Sequence, residues 1–377
     1  MRVALVSETF LPKVDGIVKV ACLLLDHLSA RGIEAMVIAP RYGDNQRYKH
    51  APVHSLPSVA VPLYPEARLG FATSELFRAI AAFQPDVAHL FHPAMTGLPT
   101  MAMLKWLGVP IVASFHLDYA RLASQFQVGG LGLSLASPLI DQVTRRVFNW
   151  ADARLAPSQL VQGQMQALGI GEVGLWRRGV DAEAFHPRFS SPAMRAEMSQ
   201  GCPDDTLLVY VGRLSDEKQL EHIRPVLEQT PNLRLALVGD GPARQRLEQT
   251  FAGLPVTFMG YLRGDRLASA YASADIFVFP SRLETFGLVV VEAMAAGLPV
   301  VAARVGGVTE VVREGSNGYT FASGDTSGLA QGIHAIAKDR ETLRWMGRQA
   351  RAYAETQSWS ASMNDLIAEY ARLIVKN

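Results

Sequence analysis

The sequence predicts an α/β chain folded as two doubly wound lobes, and three observations carry that expectation. Short apolar runs with the length of buried strands recur along the chain, among them Val3–Val6, Pro110–Phe115, Thr206–Val211 and Leu233–Val238. Helical patterns separate them, which is the signature of parallel sheets. The chain has 377 residues, of which 49% are apolar, enough for two cores of ordinary size.

In order, Val3–Val6 reads as a first strand and Ser7–Pro12 as the loop that leaves it. Asp15-Gly16 opens a helix over roughly residues 17–30, and Glu34–Ala39 is a second strand. Such a start places a ligand crevice at the carboxyl ends of the strands. Residues 40–70, rich in Tyr and Pro, read as irregular. A helix near Ser74–Phe83, a strand at Asp86–Leu90, a helical stretch over Pro93–Leu107 and the strand Pro110–Phe115 follow, with His116 at that strand's end. Ser137–Trp150 is helical, Ala153–Ala156 is a strand, and Ser158 caps the next helix.

The pattern then restarts. A linker is expected over His186–Asp205, so the first domain is 1–185 and the second 186–357. Strands at Thr206–Val211, Leu233–Val238, Val256–Met259 and Asp275–Phe279 alternate with helices. The stretch SRLETFGLVVVEAMAAGLPVVAA, from Ser281, gives a polar turn, a helix stopped by Gly297-Leu298-Pro299, and a strand. The tail, 358–377, is a helix with Trp359, Met363, Leu366, Ile367, Tyr370 and Leu373 at helical spacing, and it is assigned to the first domain.

Composition excludes several classes. The formal charge of +1 gives no footprint for nucleic acid. Cys22 and Cys202 lie far apart without metal spacing, which fits a reducing compartment. MRVALVSETF lacks the apolar region of a signal peptide, so a cytoplasmic chain is expected. No Walker sequence, HExxH, GxSxG or DxD pattern is present; neither a bound cofactor nor a dedicated metal site is expected.

Four loops carry candidate chemistry. Gly16 would let the first loop approach a ligand closely, or it merely starts a helix. His116 directly follows a buried strand; it is a ligand contact or a structural hydrogen-bonder. Arg213 and Lys218 follow a strand within GRLSDEK and suit a diphosphate, unless they pair with Asp216 or Glu217. Glu284 and Glu292, with seven residues between them, can accept from vicinal hydroxyls. Glu292 is a lone charge on an apolar helix, either at its solvent edge or turned to a ligand.

SETFLPKVDGI at the start, SFH at 114–116, GRLSDEK, VGDGP and PSRLETFGLVVVEAMAAGLPVVA come in the order found in one family. The chain resembles the retaining nucleotide-sugar glycosyltransferases of the GT-B fold, family four, over nearly its whole length. WRRGVDAEAFHP and SLPSVAVPLYPEARL are similar to its lipid-directed members: diacylglycerol glycosyltransferases, phosphatidylinositol mannosyltransferases and sulfoquinovosyltransferases. The resemblance implies two Rossmann-like domains facing across a cleft, with the last helix crossing back to the first. It implies transfer of a hexose from UDP- or GDP-hexose to an acceptor hydroxyl, a membrane lipid being expected. The leaving diphosphate would take the acceptor's proton in a front-face attack without metal.

By the same resemblance, Arg213 and Lys218 hold the diphosphate, and Gly16 lets the first loop close on it. Glu292 accepts from ribose and Glu284 from the transferred sugar. The N–H groups of Phe286, Gly287 and Leu288 face sugar and phosphate. His116 contacts the sugar near its C6 hydroxyl, and Tyr261-Leu262 faces the base. Asp15, Tyr64 and Tyr119 are expected on the acceptor side. Arg68, Leu69, Phe71, the segment 122–126, Arg145, Arg146, Phe148 and Trp150 are candidates for peripheral membrane contact, or they pack in the core. The alternatives are a GDP-mannose-dependent mannosyltransferase acting on a soluble or polysaccharide acceptor, a sugar-nucleotide epimerase, a phosphorylase, and a non-enzymic two-lobed binding protein.

Overall fold

The computed structural model describes residues 1–13, 15–43, 46–61, 64–93, 96–116, 127–128, 131–132 and 137–376; for 61, 64–67, 127–128, 131–132 and 137 the description covers the backbone. The chain divides into two compact units, Met1–Arg177 with Ser360–Asn377, and Arg178–Trp359. The first division therefore falls ahead of the sequence boundary at 185/186.

Unit 1 contains β1 (Arg2–Ser7), β2 (Glu34–Pro40), β3 (Arg47–Tyr48), β4 (Ala51–Leu56), β5 (Ser58–Val61), β6 (Tyr64–Gly70), β7 (Val87–Phe91), β8 (Ile111–Ser114), β9 (Gln127–Val128), β10 (Leu131–Gly132), β11 (Ala153–Ala156) and β12 (Gly174–Leu175). Its helices are α1 (Gly16–Ala30), α2 (Ser74–Phe83), α3 (Gly97–Trp106), α4 (Ser137–Trp150) and α5 (Gln159–Ala167). The main sheet runs β12-β11-β8-β7-β1-β2-β4-β3. All its pairings are parallel except β3 with β4. The order turns at β1, which pairs with β2 on one side and β7 on the other. Loops leaving β1, β7 and β8 therefore emerge at one sheet edge, next to the switch point where α/β folds bind ligands.

Helix α1 forms because Asp15 accepts from the Val18 N–H at its N-cap and Val18, Ala21, Leu24, Leu25 and Leu28 make one buried stripe. Residues 40–70 are not irregular, as their composition suggested. They contain β3 to β6, with Val37 of β2 in register with Val53 of β4, and β5 paired antiparallel with β6. Tertiary pairing here overrides weak local preference.

Unit 2 contains β13 (Thr206–Val211), β14 (Leu233–Val238), β15 (Val256–Gly260), β16 (Ile276–Phe279), β17 (Val300–Ala303) and β18 (Gly318–Phe321). Its helices are α6 (Pro192–Met198), α7 (Arg224–Gln229), α8 (Arg244–Thr250), α9 (Gly264–Ala272), α10 (Leu288–Ala295), α11 (Val308–Val311), α12 (Thr326–Ala337) and α13 (Arg340–Glu355). The wholly parallel sheet has the order β15-β14-β13-β16-β17-β18. That is the doubly wound order, with its switch between β13 and β16.

The expected linker 186–205 is structured. Pro187–Phe189 is a 3-10 turn and α6 follows it. Arg195 of α6 donates to Asp275 Oδ2 at 2.7 Å, and Asp275 also accepts from the Leu207 N–H at 2.8 Å. The segment is thus tied to the start of β13 and belongs to unit 2. The last helix, α14 (Trp359–Lys376), returns the chain to unit 1 from Ser360 onward. It buries Met363, Leu366, Tyr370 and Leu373, four of the six residues in the expected stripe, while Trp359 and Ile367 are only partly covered.

Candidate active site

In unit 2 the chemistry gathers at the carboxyl ends of β13 and β16, the two strands of the switch. Behind β13, Gly212-Arg213-Leu214-Ser215 leads into a 3-10 turn, Asp216–Lys218. The Tyr210 hydroxyl donates to the Arg213 carbonyl at 2.9 Å and fixes that loop's departure. Burial pushes the Tyr210 phenol well above its ordinary pKa, so it remains a donor. Behind β16, the segment 280–287 leads into α10. The two loops are stitched together by the Arg282 N–H, which donates to the Glu217 carbonyl at 2.8 Å.

Lys218 and Glu284 meet across that stitch. The Lys218 ammonium lies 3.3 Å from Glu284 Oε2 and 5.3 Å from the centre of the Phe279 ring. Their side chains retain 15% and 21% exposure, so the pair is partly open to solvent. The other oxygen of Glu284 accepts from the Thr285 N–H at 3.0 Å, which orients the carboxylate. The alternative given for Lys218, pairing with its sequence neighbours Asp216 or Glu217, is not the ion pair found. Asp216 pairs instead with Arg246 at 2.7 Å, and Glu217 accepts from the Ser215 hydroxyl at 2.5 Å.

Two glycines make this geometry reachable. Gly287 has φ +85° and turns the chain into α10. Gly306 has φ +50°, and a Cβ on it would lie 2.0 Å from the Glu284 carbonyl oxygen. The loop after β17 therefore presses on the backbone that carries Glu284; the Gly307 N–H donates to the Thr285 carbonyl at 2.9 Å. The N–H groups of Phe286, Gly287 and Leu288 lie at the entry to α10, where a helix leaves donors without intrahelical acceptors and its dipole favours negative charge. The Phe286 ring is buried in the unit 2 core.

Glu292 is in the second turn of α10 and is 5% exposed, so it is not at the solvent edge. The Tyr271 hydroxyl of α9 donates to its Oε2 at 3.1 Å. Burial, with Glu292 nearby, pushes the Tyr271 pKa well above its ordinary value, so the phenol stays protonated and a donor. Tyr261 is 66% exposed, its hydroxyl 3.4 Å from the Asp240 carbonyl, and Leu262 beside it packs partly against the core.

In unit 1, Asp15 serves as the N-cap of α1, with Lys13 Nζ 3.5 Å from its other oxygen, and Gly16 is the exposed first residue of that helix. His116 follows β8, is 9% exposed, and stacks on Phe91 with ring centres 4.5 Å apart. Its backbone N–H donates to His92 Nδ1 at 3.3 Å. Burial lowers the His92 pKa to about 3, so that ring is neutral. Tyr64 is in β6, and only its backbone is described. Tyr119 and the segment 122–126 lie outside the described residues.

The membrane candidates separate. Phe148 is fully buried in the unit 1 core, so of the two readings given for it core packing holds and membrane contact does not. Arg68 is held by hydrogen bonds to Ser58, and Leu69 is partly covered. Phe71, Arg145, Arg146 and Trp150 are exposed. Sequence reasoning missed Tyr271, and it missed His89 and His92, although two histidines in the apolar run HLFH were a readable signal.

Residues 14–184 match the Glycosyltransferase Family 4 model, and residues 199–353 match Glycosyl transferases group 1. The chain is 36% identical over 386 residues to a GDP-mannose-dependent alpha-mannosyltransferase of Mycolicibacterium smegmatis, covering 99% of this chain and 98% of that one. It is 37% identical over 343 residues to the sulfoquinovosyl transferase SQD2 of Arabidopsis thaliana, covering 89% of this chain and 66% of that protein's length. Its fold is similar to that of the sucrose-phosphate synthase of Thermosynechococcus elongatus, with a TM-score of 0.82 over 100% of both chains at 22% identity.

Proposed function

This chain belongs to the group 1, family 4 glycosyltransferases, and from that premise we propose that it moves a hexose from UDP- or GDP-hexose to a hydroxyl of a membrane lipid, with retention of anomeric configuration. The observation that carries the donor assignment is the Lys218–Glu284 pair at the β13/β16 switch. A cation for phosphate and a carboxylate for hydroxyls stand side by side where doubly wound units bind ligands.

In this reading Arg213 and Lys218 hold the diphosphate and stabilise the charge that grows on it as the glycosidic bond breaks. Free N–H groups at the start of α10 add to that stabilisation. Glu284 accepts from the transferred sugar. Glu292, oriented by Tyr271, accepts from the ribose hydroxyls. Tyr261-Leu262 faces the base. His116 contacts the sugar, and Asp15, Tyr64 and Tyr119 serve the acceptor. The acceptor hydroxyl attacks the face the diphosphate leaves, and a phosphoryl oxygen takes its proton. Neither Glu284 nor Glu292 is then needed as a nucleophile, which separates the scheme from two-carboxylate glycoside hydrolysis. Charge on the leaving group is borne by cations and N–H groups, so chelators leave turnover intact.

A lipid acceptor is supported by helix α4. Leu139, Val143 and Trp150 are 64%, 45% and 43% exposed and share one face with Arg146, at spacings of four and seven residues. An exposed apolar stripe flanked by arginines fits the plane of an anionic membrane and calls for peripheral contact through unit 1. In the second reading, a GDP-mannose-dependent mannosyltransferase with a soluble or polysaccharide acceptor, the mannosyltransferase similarity over the whole chain supports the donor alone.

Thermal unfolding with UDP, GDP and ADP identifies the base, because a ligand of the folded state raises the melting point. Sugar nucleotides bearing that base are then offered with a lipid extract and with soluble glycans, and the anomeric configuration of the product is read by NMR. No shift with any nucleotide would overturn the donor assignment; transfer to glycans alone would overturn the lipid acceptor.

A further inference from the structure

Four side chains of unit 1 form one buried line of hydrogen bonds that reaches His116. The Tyr370 hydroxyl of α14 is 2.5 Å from His89 Nδ1. His89 Nε2 is 2.7 Å from Ser114 Oγ, and Ser114 Oγ is 2.8 Å from His116 Nε2. Tyr370 and His89 are fully buried, and Ser114 and His116 are 1% and 9% exposed. Rings of Phe91 and Trp176 flank the line: Phe91 stacks on His116, and Trp176 lies 5.1 Å from His89 and 6.1 Å from His116.

Protons can be arranged along this line from either end, or with Ser114 accepting from both histidines, since a hydroxyl donates once and a neutral imidazole donates from one nitrogen while accepting at the other. In the last arrangement the Ser114 proton would need a further acceptor, and among the described residues Ser114 Oγ meets only the two ring nitrogens. If the line ran from His116 to Tyr370, the phenol would accept from His89 and its own proton would need a further acceptor. The Tyr370 hydroxyl has no second partner among the described residues. Leaving a buried donor unmade forfeits its hydrogen bond to water without replacement and is costly. Burial keeps this phenol protonated, so it must donate. An imidazolium at His89 would also donate to the phenol and would add an uncompensated charge to the core. The favourable direction starts at Tyr370. The phenol donates to His89 Nδ1, His89 Nε2–H donates to Ser114, and Ser114 donates to His116 Nε2.

With its Nε2 accepting, neutral His116 must carry its proton on Nδ1. We propose that Tyr370, His89 and Ser114 are positioning residues that set the tautomer of His116, so that it meets the bound sugar nucleotide with its proton on Nδ1. The inference rests on the reading that His116 meets the substrate. It gives the returning C-terminal helix a role beyond packing: α14 supplies the phenol that polarises the line.

The test is made on the full chain labelled with 15N-histidine, whose long-range proton–nitrogen spectrum reports which ring nitrogen is protonated. The His116 signals are assigned by their loss in His116→Asn. Wild type should show His116 protonated at Nδ1, the reverse of the form imidazole prefers in water. Tyr370→Phe keeps the ring and removes one oxygen; it should shift His116 towards the Nε2–H form and lower kcat on the order of tenfold, with donor KM little changed. Ser114→Ala should do the same, and Ser114→Thr should restore both. A wild-type His116 protonated at Nε2 overturns the proposal, as does an unchanged tautomer in Tyr370→Phe. A changed tautomer with unchanged kcat overturns the positioning role. Full turnover in His116→Ala, with the Nδ1–H form seen in wild type, would remove the substrate reading of His116 and leave the polarity of the line standing.

Discussion

Lys218 Nζ and Glu284 Oε2 are 3.3 Å apart although 66 residues separate them in the chain. A partly exposed ion pair of this kind contributes about 0.2–1 kcal/mol to stability, too little to account for the arrangement by itself. Under the proposed function its value is in readiness. The ammonium and the carboxylate hold each other in place, and a sugar diphosphate can take both by trading one charge-assisted contact for another.

Replacing Lys218 by Ala should therefore cost far more in turnover than in folding. We expect kcat to fall by about two orders of magnitude, as when a preorganised electrostatic group is removed, and the melting point to shift by only a few degrees. Glu284→Gln keeps the size and one acceptor oxygen and should mainly raise donor KM. Steady-state kinetics beside thermal melts separates the two. Equal losses in both variants, with large drops in melting point, would make the pair structural.

Glu292 and Tyr271 offer a cleaner dissection. Glu292→Ala opens a cavity and leaves a buried phenol without its acceptor, so about 1–3 kcal/mol of stability should be lost along with donor affinity. Tyr271→Phe removes only the hydroxyl that orients Oε2. The expected result is a several-fold rise in donor KM with kcat nearly unchanged, measured with the sugar nucleotide that raises the melting point most. An unaltered KM in Tyr271→Phe would show that the carboxylate is oriented by other contacts.

These two pairs show how far the sequence could be read. Val3–Val6 and Leu207–Val211 are strands that stay buried along their length, and a run of apolar residues announces such strands. Glu292 stood out as a charge on an apolar helix, and Glu284 stood out in the polar turn before it. Their partners did not, because Tyr271 is 21 residues before Glu292 on another helix and no periodicity links them. Residues 40–70 misled for the opposite reason. Short, proline-interrupted strands such as β4 have little local preference, and pairing with β2 settles their structure. His89 was hidden inside an apolar strand, and only the return of α14 gives it Tyr370 as a neighbour.

Gly306 should tolerate no side chain. Its φ of +50° disfavours L residues, and a Cβ would meet the Glu284 carbonyl at 2.0 Å, against backbone that cannot swing aside. Gly306→Ala is expected to displace the Glu284 segment, to lower stability by about 1–3 kcal/mol and to abolish the melting shift caused by nucleotide. Calorimetry with and without nucleotide reads both. A full nucleotide shift in the variant would show that the loop yields without disturbing the donor site.

His92 gives the fold an acid limit. Burial holds its folded pKa at about 3, whereas an unfolded histidine titrates near 6.5. Between those values the unfolded chain binds a proton that the folded chain does not, so stability falls as pH is lowered from about 6.5 towards 3. The slope approaches 1.4 kcal/mol per pH unit from this group. His92→Asn should flatten that part of the profile. Asn can accept the His116 N–H and tolerates the left-handed backbone that His92 adopts, with φ +52°. Denaturant melts from pH 7 to 4 measure the difference, and parallel profiles would assign the acid limit elsewhere.

Helix α4 tests the acceptor. Leu139, Val143 and Trp150 are at least 43% exposed, so replacing them with Ser removes little from the core and should change stability by no more than about 0.5 kcal/mol. A membrane-facing stripe would nevertheless lose most of its hold on vesicles, since the apolar face and the anionic attraction act together. We expect the Leu139→Ser/Trp150→Ser variant, and separately Arg145→Glu/Arg146→Glu, to leave the pellet when centrifuged with vesicles containing anionic lipid. Turnover on a lipid acceptor should fall in both, while hydrolysis of the donor by water continues at the wild-type rate. High salt should mimic the arginine variant and not the apolar one, because screening weakens only the charge contribution. Pelleting that survives both variants would move the contact away from α4 and leave its exposed stripe to another partner.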